Sequence, residues 1–157
     1  MDNPDSQPLK IAAPPPLIYI GTFLLGFAIH TISPFRIFQG DYAHVIGGGC
    51  IFVLSAALAR WSFLTMRRFG TTANPRKPSE ALATSGPFQF SRNPIYVAMT
   101  GLYVGLDVIV NSAWPLMLLV PLLLFMDWGV IRREERYLAE KFGAIYTAYQ
   151  SSVRRWL

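Results

Sequence analysis

Residues 93–126 read NPIYVAMTGLYVGLDVIVNSAWPLMLLVPLLLFM, and this stretch fixes the architecture. A single charged residue, Asp107, interrupts it. A helix that crosses a bilayer needs about 20 mostly apolar residues. The stretch and the residues just after it hold two such helices, roughly 94–112 and 114–131. The turn around Asn111-Ser112-Ala113-Trp114-Pro115 is short enough to fold them into an antiparallel hairpin.

Working outward, residues 11–35 and 42–59 contain no Asp, Glu, Lys or Arg. They give two further spans, roughly 15–34 and 42–65. The expected fold is all-α: an integral membrane helical bundle of about four transmembrane helices, with a cytoplasmic loop and a C-terminal amphipathic helix. Composition agrees. Hydrophobic residues make up 52% and charged residues 15%, against roughly 25% charged in soluble domains. That balance excludes extended disorder. A soluble domain of this size rarely encloses four uncharged helices. The lone Cys50 excludes a disulfide framework or a multi-Cys zinc site. Residues 1–14 read as a flexible N-terminal segment that Pro14-Pro15-Pro16 ends, and residues 15–157 as one domain. Gly47-Gly48-Gly49 in the second span allows another backbone to approach closely.

Topology follows from Lys and Arg. The loop between spans two and three carries Arg67, Arg68, Arg76, Lys77 and Arg92, and the C-terminal tail carries Arg132, Arg133, Arg136, Lys141, Arg154 and Arg155. The other two connections have only Arg36 between them. The positive-inside rule therefore puts both termini in the cytoplasm, with a bacterial inner membrane as the expected location. The net charge of +5 suits anionic lipid headgroups and requires no nucleic acid. Asp127 and Arg60 lie at similar depths, so that they can pair or Arg60 can snorkel; Asp107 and His30 are further ionisable groups inside spans.

Two basic segments can carry chemistry. In the first, Pro and Gly punctuate residues 71–92, a loop, and Asn93-Pro94 reads as N-cap and first turn of a helix. Free N–H groups at such a start bind anions, and Arg92 adds a positive charge beside them. In the second, Leu138, Phe142, Tyr146, Tyr149 and Val153 recur every three or four residues, the stripe of one amphipathic helix that Gly143 interrupts. By itself this describes a charged helix lying on the membrane surface.

Leu82-x-x-Ser85-Gly86-Pro87-Phe88, Arg92-Asn93-Pro94-x-Tyr96 and Glu134-Glu135-x-x-Leu138-x-x-x-Phe142-Gly143-x-x-Tyr146-x-x-Tyr149 resemble the isoprenylcysteine carboxyl methyltransferase family and the related phospholipid methyltransferases. The resemblance covers residues 70–157. It implies an integral membrane enzyme that takes a methyl group from S-adenosyl-L-methionine, with a cytoplasmic cofactor region at 70–96 and 131–157, no metal, and a lipophilic acceptor entering from the bilayer. By motif, Glu80, Ala81, Leu82 and Ala83 match the stretch that touches the cofactor. Phe88 stands where the family commonly has Tyr, and Asn93 where it has His; Pro94 and Tyr96 match directly. Glu134 matches the glutamate near the acceptor. Val130 stands where the family places an arginine, for which Arg132 or Arg133 can substitute.

The chemistry fits these residue types. Arg92 and the helix start at Asn93 suit the cofactor carboxylate. Tyr96, Tyr146 and Tyr149 offer ring faces or hydroxyls to adenosine and sulfonium. Glu134 can hold the acceptor or take its proton. A carboxylate acceptor needs only a cationic clamp, for which Arg132 or Arg133 serves. Prenyl-cysteine carboxylate, phospholipid amine and thiol all stay open as acceptors. An NADPH-dependent membrane reductase and a non-enzymatic membrane adaptor are the alternative readings.

Overall fold

The computed structural model of the chain describes residues 13–40, 42–71 and 81–157. Among these no strand occurs. The helices are α1 (Pro15–Ile32), α2 (Ala43–Arg68), α3 (Pro94–Val110), α4 (Ala113–Met126), α5 (Arg132–Phe142) and α6 (Ala144–Ser152). A 3₁₀ turn, Gly86–Gln89, precedes α3, and a π turn, Asp127–Ile131, joins α4 to α5. Three helical runs are long and apolar enough to cross a membrane: Pro15–Ile32, Ala43–Arg68 and the continuous run Ala113–Phe142. The fourth apolar helix, α3, has 17 residues, the lower edge of what spans a bilayer.

Helices solve the central problem of a chain in lipid, because every backbone N–H and C=O is satisfied within the segment. The side chains then face outward with little penalty. Ile46 is 72% exposed, Leu54 71% and Val120 63%. Surface of this kind would aggregate in water and is solvated by acyl chains in a bilayer. This is an integral membrane helical protein.

The described residues form two compact units. One comprises Ala13–Ala57 and Tyr96–Met126. In it α1 packs on α4, where a Cβ on Gly26 would stand 2.7 Å from the Pro115 backbone. Small residues permit such approaches between apolar helices. Tyr19 is hydrogen-bonded to Thr100 at 3.0 Å, and the Tyr103 hydroxyl donates to the Pro115 carbonyl at 2.7 Å. Asn111, at φ 57°, closes the α3–α4 turn. Its Oδ1 accepts the N–H groups of Ile37 and Phe38, and its Nδ2 donates to the Phe38 carbonyl. The α1–α2 connection is thereby tied to the hairpin turn. Asp107 is fully buried in α3, and its carboxylate oxygens have no hydrogen-bond partner among the described residues. An apolar cavity of about 370 Å³ is lined by Tyr19, Phe23, Leu24, Phe52, Met99 and Tyr103, among others.

The other unit comprises Leu58–Ile95 and Asp127–Leu157. Its core is Ala83, Phe88, Tyr146 and Tyr149, with Leu138, Phe142 and Val153 packed against it. The C-terminal stripe therefore faces this core as its periodicity predicts, but on two helices rather than one. Gly143 takes φ 53°, ends α5 and starts α6. A left-handed residue stops an α-helix, and glycine adopts it at little cost.

Candidate functional site

The site grows from two segments of the second unit, the loop before α3 and the helices α5 and α6. The loop turns at Gly86, φ 60°, where an added Cβ would lie 3.0 Å from Thr65 Oγ1 and 3.2 Å from Trp61 Nε1. The 3₁₀ turn that follows drives Phe88 inward. Tyr149 on α6 donates its hydroxyl to the Phe88 carbonyl at 2.6 Å. One buried cluster thus joins residues far apart in sequence.

Charges are arranged around this cluster in a chain. Glu135, 6% exposed, sits between two arginines. Arg92 places Nη2 at 2.8 Å and Nε at 3.2 Å from Glu135 Oε1. Arg155 places Nη2 at 2.7 Å from Glu135 Oε2 and Nε at 3.1 Å from both oxygens. Arg155 Nη1 also reaches Asp127 Oδ1 at 3.3 Å, and Arg132 Nε donates to Asp127 Oδ2 at 2.8 Å. A buried carboxylate is tolerated only when its lone pairs are met in this way. Hydrogen bonds to the Glu135 carboxylate hold the Arg155 guanidinium above its ordinary pKa. Burial pushes the Tyr149 hydroxyl up to about 12. Burial, with the carboxylates of Glu135 and Glu134 adding to it, pushes Tyr146 up as well.

The π turn explains why one arginine touches two acids. At about 100° per residue in a continuous α-helix, Glu135 would stand about 80° round from Asp127. A π turn takes up an extra residue, and Asp127 and Glu135 come round to the same side, where Arg155 meets both.

The structure brings Ala83, Phe88, Tyr146 and Tyr149 together and leaves Ala81, Leu82 and Glu134 half-buried in the same unit. Glu80 lies outside the described residues. Asn93 and Pro94 are buried, Pro94 opens α3, and the Asn93 side chain donates to the Arg155 carbonyl at 3.0 Å. Tyr96 is buried in the first unit, where its carbonyl accepts from Thr100. Arg92 is a brace: besides Glu135, its Nη1 donates to the carbonyls of Gln150 and Val153 at 2.9 and 3.0 Å. Arg132 also stacks over Trp128 at 5.1 Å, and Arg133 is exposed. Asp127 pairs with Arg132 and Arg155.

Glu135 stands in the quoted motif without a role assigned to it, Asp127 pairs with Arg132 and Arg155, and Arg155 belongs to no motif. Glu135 had a signal. It falls on the stripe Ile131, Glu135, Leu138, Phe142, where a charge must be buried and therefore paired. No spacing announces Arg155.

No group of three His, Cys, Asp or Glu that could hold a metal ion occurs among the described residues. A search of curated proteins returns no match to this chain. The family model described as phospholipid methyltransferase matches residues 43–145. That is more than half of the chain, it includes the hairpin and most of the candidate site, and its activity is methyl transfer to lipid-type substrates. With its apolar helices, its Ser85–Phe88 and Arg92–Pro94 motifs and this match, the chain belongs to the phospholipid methyltransferase family.

Proposed function

We propose that this chain transfers a methyl group from S-adenosyl-L-methionine to a lipophilic acceptor, with the donor held by residues 81–93 and α5–α6. The observation that carries the reading is the single buried cluster of Ala83, Phe88, Tyr146 and Tyr149, with Glu134 half-buried in the same unit. Aromatic faces beside carboxylates suit a sulfonium and an adenine ring. When bound, S-adenosylmethionine supplies an electrophilic methyl group. The chain's own contribution is alignment of donor and acceptor. Arg92 is occupied with Glu135, so the donor's carboxylate falls to the helix start behind Asn93. Glu134 holds the acceptor or accepts its proton, and Arg132 or Arg133 clamps an acceptor that is a carboxylate. The site lies on the cytoplasmic side of a bacterial inner membrane, with both termini cytoplasmic, by the distribution of Lys and Arg.

The test is calorimetry of S-adenosylhomocysteine with detergent-purified protein, using NADPH as the control. Saturable binding of the first and none of the second is expected. Methyl transfer from labelled S-adenosylmethionine into membrane lipid should fall at least about a hundredfold in Glu134→Gln, the scale of a lost general base. Binding of NADPH alone would refute the reading.

A further inference from the structure

After α6 the chain becomes extended at Val153, φ −126°, ψ 135°. Residues 153–155 then run alongside residues 91–93. The Arg92 N–H donates to the Arg154 carbonyl at 2.9 Å. Ser91 Oγ and Asn93 Nδ2 donate to the Arg155 carbonyl at 3.2 and 3.0 Å. Arg92 Nη1 donates to the Val153 carbonyl at 3.0 Å. These contacts carry no charge selectivity and would hold any extended segment. The Arg155 side chain anchors this one. It leaves the segment for α5 and the π turn, where it meets Glu135 and Asp127 together.

Residues 90–93 have no regular structure of their own. Irregular backbone keeps one conformation only where its polar groups find partners elsewhere. Here the N–H groups of Phe90 and Ser91 go to the Pro87 carbonyl and that of Asn93 to Ser91 Oγ, whereas the Arg92 N–H and the side chains of Ser91, Arg92 and Asn93 find their partners in the C-terminal segment, whose anchor is Arg155. The Glu135 carboxylate couples Arg155 to Arg92. One oxygen is filled by Arg92 and both receive Arg155. Loss of Arg155 leaves a buried carboxylate short of donors and frees the segment that braces Ser91, Arg92 and Asn93.

We propose that Arg155 is a positioning residue for methyl transfer. It clasps the C-terminal segment onto residues 91–93 and so fixes the cofactor loop, without itself touching the donor. The inference rests on the cofactor reading above. Two measurements separate it from that reading: hydrogen exchange at the Arg92 amide, and S-adenosylhomocysteine affinity.

In Arg155→Ala the Arg92 amide is expected to exchange at least tenfold faster, S-adenosylhomocysteine to bind at least tenfold more weakly, and KM for S-adenosylmethionine to rise more than kcat falls. Arg155→Lys keeps the charge but loses the planar fork that spans two acids, so its affinity should lie between alanine and wild type. It also serves if the alanine variant does not fold. Trp114→Phe is the control for general destabilisation. It removes the 2.7 Å bond from Trp114 Nε1 to the Ser33 carbonyl in the other unit and should leave affinity within twofold. Unchanged exchange at Arg92 in Arg155→Ala overturns the clasp. Faster exchange with unchanged affinity overturns the positioning role. Equal weakening in Trp114→Phe overturns it too. No binding by the wild-type protein refutes the cofactor reading itself, and this inference with it.

Discussion

Gly47, Gly48 and Gly49 are consecutive in α2, yet alanine should act on them in opposite directions. A Cβ on Gly48 would stand 2.7 Å from the Gly105 carbonyl oxygen, 2.8 Å from Ile109 Cγ1 and 2.9 Å from Ile109 N. Ordinary contact begins near 3.4 Å. Two of the three atoms are backbone, so α3 itself must retreat by about half an ångström. Overpacking of this kind costs about 1–3 kcal/mol, and the better helix propensity of alanine returns at most about 1 kcal/mol. Gly48→Ala should therefore lose about 1–2 kcal/mol. Gly47 and Gly49 have nothing within 4 Å of an added Cβ; their alanine variants should match wild type or gain up to about 1 kcal/mol. Gly105→Ala meets the same contact from the other side, with Phe52 N at 2.7 Å and the Gly48 carbonyl at 2.9 Å. The double variant Gly48→Ala, Gly105→Ala should lose less than the sum, because one retreat of the helix accommodates both methyls. Equilibrium unfolding in mixed micelles titrated with SDS reads the five variants against wild type. Gly47→Ala as damaging as Gly48→Ala, or a strictly additive double variant, would refute the close-approach argument.

Tyr149→Phe removes the 2.6 Å bond to the buried Phe88 carbonyl and should cost about 1–3 kcal/mol. Burial raises Tyr149 from 10.0 to about 12, so its share of stability is complete below pH 10 and is lost as pH climbs from there towards 12; unfolding measured across that window should show a shallower loss in Tyr149→Phe than in wild type. S-adenosylhomocysteine at a hundred times its Kd should raise apparent stability by about 2.7 kcal/mol, whereas NADPH should leave the thermal midpoint unmoved; the reverse pattern would favour the reductase reading. Asp107→Asn removes a buried carboxylate that has no partner among the described residues and should hold or raise the thermal midpoint. A fall would mean that the carboxylate is satisfied by a ligand or a water.

The spans were legible because lipid imposes one rule on every residue it touches. The runs read as 15–34, 42–65 and 94–112 fold as Pro15–Ile32, Ala43–Arg68 and Pro94–Val110. The last helix was read as 114–131, and its α-helical part stops at Met126 because a π turn takes over. Hydropathy sees Val130 and Ile131 as apolar and carries no information about the pitch of the backbone around them. The C-terminal stripe was legible as a face but not as two helices, since Gly143 is compatible with either outcome until packing selects φ 53°. In the site, short-range motifs located the loop and the two helices. The ion-pair chain is long-range: Arg92, Glu135 and Arg155 meet only once α5 and α6 have folded back on the loop. Arg92 stands in a short motif and Glu135 shows as a charge on an apolar stripe; Arg155 leaves no local trace.

The departure at Val130 gains a physical meaning from this chain of charges. The resemblance implies an arginine there, and here the position is fully buried within the π turn. A cation at that point would have to be enclosed and paired. In this protein the acids nearby are supplied with cations from elsewhere: Glu135 from Arg92 and Arg155, Asp127 from Arg132 and Arg155. Three arginines against two carboxylates leave the cluster with a net positive charge, whichever segment delivers them. An electrostatic requirement of this kind constrains the sum of charges at a place in space and leaves the sequence positions free. The same substitution that looks like a lost functional residue in a motif is, in the folded chain, a buried valine, while a cationic cluster is assembled from the loop, the start of α5 and the C-terminal segment.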